Sequence, residues 1–226
     1  MKRIKDHVVF GDSSNLSKHL TQRIDGFESL AKNLWNNKYL DEDARVFPNV
    51  IRCIIRQLQI LEASPRLPLE SAAGACRTTF EVYVRTKLMT ERPQLISEFW
   101  VERIFEEISL LEAFKRLAHQ ETPASTISLI DSRIKEIKAY ISKWKLQKPS
   151  VESTFKQAES AGLSEEYKAL YGFYSKYTHG SAWLVNARDA ERDGDGYRII
   201  FTTQTQLYAE ATIECIRGYV DKKSKG

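Results

Sequence analysis

The sequence predicts an all-α fold, a bundle of about seven or eight helices in one domain spanning residues 1–226, on three observations. Apolar residues recur at three- and four-residue spacings through most of the chain, the pattern of helices that bury one face. Only 10 glycines and 6 prolines punctuate 226 residues, too few for the turns of an all-β domain of this size. Hydrophobic residues make up 42% and charged residues 28%, a balance that gives a core under a solvated surface and excludes a disordered chain. One domain fits the length, since domains commonly run to about 100–200 residues.

The elements follow in order. From Asn15 to Trp35, Leu16, Leu20, Ile24, Phe27, Leu30 and Leu34 form the first helical stripe. Val50, Ile51, Ile54, Ile55, Leu58 and Leu61 form the second, stopped by the prolines of the Ser64–Pro68 segment. A third helix runs from near Pro68 to Met89, and its run Ser71-Ala72-Ala73-Gly74-Ala75-Cys76 is small enough for another helix to approach closely. Pro93 opens a fourth, carrying Ile96 to Leu117. The fifth has a coiled-coil-like seam of Ile127, Ile130, Ile134, Ile137, Ile141 and Trp144. The seam covers under three heptads, which favours an antiparallel hairpin. A short helix spans Val151–Ala161, with Gly162 as its stop. Ser164 then caps a helix to Thr178, with Glu165 and Glu166 suiting its first turn. Asp189–Phe201, DGDG before YRIIF, reads as a turn and short β-hairpin. A last helix runs from Gln204 to Val220. Residues 1–14 and 221–226 are expected to be flexible ends.

The densest polar and aromatic signal lies between Leu163 and Val185. Regular helical spacing puts Gly172, Ser175 and His179 on one side, beside a band of Tyr167, Tyr171, Tyr174 and Tyr177. Glycine inside a helix is costly, so Gly172 is expected to serve close packing, with the 74–76 run as the complementary surface. If those surfaces meet, His179 lies near Arg77 or Glu81, an i, i+4 pair. A histidine beside an arginine and a carboxylate has the makings of an acid/base constellation. His179, Arg77 and Glu81 are therefore the catalytic candidates, and Tyr171, Ser175 and Tyr177 the ligand-binding ones. The competing reading is ordinary: a helix ion pair, a capping histidine and tyrosines packed with their hydroxyls at the edge.

The stretch from Ser150 to Leu184 resembles the bacterial helical family known as domain of unknown function 5677. Arg77-Thr-Thr-Phe-Glu81 follows small residues, Gly162 and Leu163 lead into a helix with Tyr167 and Tyr171, and Ser175 and His179 precede Gly180. The similarity extends over about Leu69–Leu184. It implies a helical bundle and no established activity, and it strengthens the case that Arg77, Glu81, Ser175 and His179 act together. In size and architecture the chain is also similar to HEPN-type helical ribonucleases, common in toxin–antitoxin and phage-defence systems. Their hallmark is an arginine, then four to six residues, then a histidine on one helix, whereas Gly172, Phe173 and Tyr174 occupy those positions before His179. Arg77 would have to supply that cation from another helix.

Other chemistry finds little support. Asp189, Glu191, Asp193 and Asp195 alternate with Gly194 at the sixth position of a calcium loop, but the twelfth is Ile200. No zinc-type cluster, phosphate-binding loop or nucleophile elbow is present, and neither metal nor cofactor is expected. Cys53, Cys76 and Cys215 form no CxxC pair and read as reduced thiols. No secretory signal or membrane span is recognisable, so the expected location is the cytoplasm, without membrane contact. A net charge of +4 is only mildly basic. Arg133, Lys135, Lys138, Lys143, Lys145 and Lys148 on the fifth helix could follow a phosphate backbone, but Asp131 and Glu136 dilute them and a solvated face is favoured. Three functional expectations result: a binding or regulatory module with a polar pocket around Arg77, Glu81, Ser175 and His179; a metal-independent ribonuclease; and a structural helical oligomer on the isoleucine seam. A protein partner or a second copy suits the first and third, and RNA the second.

Overall fold

The computed structural model describes residues 4–9, 13–37, 40, 42–63, 67–119, 122–186, 188 and 195–225. Among them every regular element is helical. Short 3₁₀ turns occupy Ile4–His7 and Glu42–Arg45. The α-helices are α1 (Ser13–Trp35), α2 (Val46–Ala63), α3 (Leu69–Glu91), α4 (Gln94–Leu117), α5 (Ala124–Trp144) and α6 (Thr154–Ser160). Next comes α7, a continuous helical run of Ser164–Glu166, a π-helical stretch Tyr167–Tyr171, and Gly172–Thr178. Then follow α8 (Ala182–Val185) and α9 (Asp195–Lys223). They form two compact units, residues 1–92 with 152–226, and residues 93–151. No helix is long and apolar enough to cross a membrane among the described residues.

In the first unit α3 is the central element, packed against α2, α6, α7 and α9, while α1 packs on α2. Its sequence explains that position. Leu69, Ala72, Ala73, Ala75, Cys76, Thr79, Phe80, Val84, Leu88 and Met89 are all buried, and they point to more than one side of the helix. Polar side chains in this core are satisfied locally. The hydroxyls of Thr79, Thr205 and Thr212 each donate to the carbonyl four residues earlier, at 2.7 Å. Gln206 bonds both backbone groups of Val9, at 3.1 and 3.2 Å, and ties the N-terminal segment to α9. Arg23 of α1 forms an ion pair with the buried Glu210 of α9.

The expected hairpin at 189–201 is overturned where it can be seen: residues 195–201 are the first turns of α9, which starts at Asp195 rather than Gln204. Residues 189–194, which carry most of the acidic turn, lie outside the described residues. The reason for the helix is side-chain placement. On a strand, Tyr197, Ile199 and Phe201 would share a face. On the helix, Tyr197 and Phe201 sit at i, i+4 and both pack on Phe173 and Tyr177, with centroids 5.2–5.9 Å apart, while Ile199 stays 53% exposed. Burial of Phe201 outweighs the β-propensity of the isoleucine pair.

Helix punctuation follows the sequence closely elsewhere. Prolines 68, 93 and 123 stand immediately before α3, α4 and α5. After α6, Gly162 adopts φ +72° and closes a Schellman motif, with Leu163 N donating to Ala158 O at 2.8 Å and Gly162 N to Glu159 O at 3.0 Å. That turn sends the chain directly into α7.

The second unit is the helical hairpin of α4 and α5. Ile134 and Ile137 of the seam are buried. Arg133 bonds Glu107 at 2.7 Å and Lys138 bonds Glu112 at 3.1 Å, so two cations of the basic face are neutralised by α4.

The first unit also carries buried ionisable groups. Burial pushes the Cys76 thiol up to about 12, and raises the Tyr174 and Tyr208 hydroxyls above their ordinary value. These groups stay protonated in the folded chain and ionise freely once unfolded, near ~8.5 for cysteine and ~10 for tyrosine. Above those values the unfolded state binds fewer protons, so stability falls as pH rises. A thermal-unfolding series should show a constant midpoint up to about pH 8.5 and a steady decline beyond it. A flat profile to about pH 11 would contradict this.

Candidate functional site

The site forms where α7 ends against the small-residue face of α3. A Cβ on Gly74 would stand 3.9 Å from the Thr178 side chain, so the two helices are in ordinary van der Waals reach there. The 74–76 surface therefore meets the Tyr-rich helix, as its composition suggests. The face α7 presents is not the expected one. Tyr171, Tyr174 and Thr178 point to α3, with Tyr174 fully buried, while Gly172 is exposed and a Cβ added to it would meet nothing within 4 Å. Gly172 does not serve close packing. The π-helical stretch Tyr167–Tyr171 explains the change, because its wider turn takes up an extra residue and moves the faces of α7 out of uniform 3.6 register. Stacked rings accompany it: Tyr167 lies parallel to Tyr171 at 4.5 Å, and Phe155 packs on Tyr167 at 5.3 Å.

Arg77 is the hub of the resulting cluster. Its Nε donates to Glu81 Oε1 at 3.1 Å, and its Nη2 to the Tyr171 hydroxyl at 2.7 Å. Tyr171 in turn donates to Glu81 Oε1 at 3.0 Å, which closes a ring of three side chains. Nη1 donates to Thr178 Oγ1 at 3.0 Å and lies 2.7 Å from His179 Nε2. Guanidinium can only donate, so Nε2 accepts and the ring proton sits on Nδ1. The guanidinium carbon is also 4.8 Å from the Tyr171 ring centroid.

His179 reaches Arg77 through backbone geometry. It caps α7 in an extended conformation, φ −124° and ψ 155°, so it leaves the helix rather than following its face. Ser181 pins the turn: its hydroxyl donates to Lys176 O at 2.6 Å and accepts from Leu184 N at 3.2 Å.

The structure thus brings together Arg77, Glu81, Tyr171 and His179, and adds Thr178. Thr178 is legible only once Tyr171 is known to face α3, since it stands seven residues further along that face. Ser175 lies on a neighbouring side, half-buried, and its carbonyl accepts from His179 N at 3.2 Å. Among the described residues its hydroxyl makes no hydrogen bond to the cluster. Tyr177 points into the core, packed on Phe173 and Phe201, and accepts from Trp183 Nε1 at 3.2 Å.

The electrostatics are those of a half-buried ion pair. Burial opposes the Arg77 charge, but Glu81 and Tyr171 more than offset it and hold the guanidinium above its ordinary value. Burial, followed by the Glu81 charge, raises the Tyr171 hydroxyl, which therefore stays protonated as a donor. Glu81 uses Oε1 for both of its bonds, so among the described residues Oε2 is an open acceptor. No three His, Cys, Asp or Glu side chains are grouped to hold a metal ion among the described residues.

A helical bundle whose small-residue helix carries Arg77-x-x-x-Glu81, clamped to a Tyr-rich helix ending in His179, defines the class of protein. Residues 66–197, more than half of the chain, match the model of a family described as "Family of unknown function (DUF5677)", and the chain belongs to that family. No curated protein and no solved structure matches it. The match includes every residue of the Arg77 cluster.

Because Arg77, Glu81 and Tyr171 bond to one another, their contributions should couple. Tyr171→Phe removes one hydroxyl from two bonds and should cost about 0.5–1.5 kcal/mol. A double-mutant cycle of Tyr171→Phe with Arg77→Ala, followed by urea unfolding, should give a coupling of at least ~0.5 kcal/mol. Strictly additive losses would mean that the ring contributes nothing as a unit.

Proposed function

We propose that this chain is a bacterial cytoplasmic binding or regulatory module whose ligand docks on the Arg77 cluster. One observation carries the reading: polar side chains from two helices converge in a single hydrogen-bonded network that is still open to solvent. Arg77 is 24% exposed, Glu81 34%, and His179 is exposed. The rim offers complementary groups, the Nδ1–H of His179 as donor and Oε2 of Glu81 as acceptor. A small polar ligand with an anionic or carbonyl group beside a hydroxyl or amine suits both. Arg77 itself holds the two helices in place, and the rim residues make the contacts. The free cysteines accord with a reducing compartment.

A second reading, a metal-independent ribonuclease of a defence system, is favoured by the 2.7 Å approach of His179 to Arg77. On that reading the His179 imidazole serves as acid/base and Arg77 as the phosphate-stabilising cation, drawn from two helices instead of one.

Thermal-shift screening of metabolite-sized polar compounds separates the readings when paired with an RNA-cleavage assay. The binding reading expects compounds that raise the melting temperature of the wild type but not of His179→Ala or Glu81→Gln, and no RNA cleavage above background. It fails if no compound shifts the wild type, or if the shifts survive both substitutions. RNA degradation by the wild type that His179→Ala abolishes would establish the ribonuclease instead.

A further inference from the structure

A second site lies apart from the Arg77 cluster, at the junction of α1 and α2. A concavity of about 450 Å³ opens there, within the range of small-ligand pockets. Ala31 of α1 and Ile55 of α2, both buried, line it with apolar surface, and the small side chain at position 31 leaves the space open. Among the described residues, Lys32, Arg52 and Arg56 also line it, against the single carboxylate of Glu28. Trp35 forms part of the wall and keeps 44% of its surface exposed.

Several cations elsewhere on the surface are paired. Arg133, Lys138, Lys168 and Arg217 each reach a carboxylate, at 2.7, 3.1, 2.9 and 3.2 Å. Among the described residues, neither Lys32, Arg52 nor Arg56 forms an ion pair, although Glu28 stands one turn from Lys32. Arg52 makes one long bond, to Asn49 Oδ1 at 3.4 Å, and lies 5.4 Å from the Trp35 ring. Arg52 and Arg56 are i, i+4 on α2, where like charges repel. Among the described residues, three cations without a carboxylate partner gather in one hollow beside an indole that Arg45 and Arg52 approach at 5.8 and 5.4 Å, an arrangement suited to a bound anion.

We infer that this hollow binds a nucleoside monophosphate-type ligand, a phosphate monoester carrying a flat ring. Among the described residues, three cations against one carboxylate leave an excess that matches a phosphate dianion better than a single carboxylate. Arginine forks fit phosphate oxygens geometrically. The exposed indole gives the ring a surface to stack on. The site is independent of the Arg77 cluster, and its residues fall outside the 66–197 family match.

Isothermal titration of the full chain with AMP, adenosine and inorganic phosphate tests this. AMP should bind more tightly than either fragment, and added salt should weaken it. Arg52→Gln and Arg56→Gln should each lower AMP affinity about tenfold or more, as expected for a lost charged hydrogen bond. Trp35→Ala should bring AMP down to the level of inorganic phosphate. Arg56→Gln should leave the ligand-free melting temperature unchanged or higher, which separates lost binding from lost folding. No binding of AMP by the wild type, or unaltered AMP binding by the two arginine variants, would overturn the inference. Equal affinity for AMP and phosphate in the wild type would overturn the assignment of the ring.

Discussion

A guanidinium that leaves water must find partners for its donors, and Arg77 finds them on two helices at once. Glu81 lies one turn along its own helix, while Tyr171, Thr178 and His179 come from α7 and its cap. The first contact is available to any isolated helix and is worth a few tenths of a kcal/mol. The others exist only when α3 and α7 are docked. Arg77 therefore converts a local pair into a tertiary tie. The register of the Tyr-rich helix, the position of its C-terminus and the exposure of His179 all depend on that tie being made.

The approach that permits it is apolar in origin. Ala72, Ala73, Ala75 and Cys76 present little bulk, so neighbouring helices come close to α3 from several sides. Phe80 then packs against both Tyr171 and Tyr208, and so links the site to α9. Buried threonines donate their hydroxyls to carbonyls of their own helix, which lets polar residues lie between α3 and α9 with their donors satisfied. The core is thus specific in shape, and its polar bonds across helices include those of Arg77, Gln206, the Arg23–Glu210 pair, and Ser17 and Thr21 with Glu62.

Much of this is legible in the residues. Helices α1 to α5 follow from apolar periodicity and from prolines at the starts of three of them, because those signals are local. The meeting of the 74–76 face with the Tyr-rich helix is legible from side-chain size, and with it the proximity of His179 to Arg77. The start of α9 is not, because YRIIF has strand propensity and only the distant rings of Phe173 and Tyr177 decide in favour of helix. Thr178 stays hidden, and Gly172 reads falsely as a packing residue, because α7 does not keep a uniform 3.6-residue period. The hollow by Trp35 draws on two helices, and no sequence spacing joins its residues.

The π-helical stretch of α7 has a consequence for how such a site arises and disappears. Each residue of an α-helix advances the side-chain direction by about 100°. Winding Tyr167–Tyr171 as ordinary α-helix, with every residue kept, would swing everything after it by roughly that angle. Thr178 and His179 would then turn away from Arg77 while the helix itself persisted. In this architecture the winding of one turn can assemble or dismantle the cluster with every one of its side chains retained, whereas loss of the extra residue together with the wide turn would leave Thr178 and His179 facing Arg77. Relatives one residue shorter between Tyr167 and Tyr171 can hold the same site on an ordinary α-helix, and the winding of the Tyr-rich segment is the trait to compare.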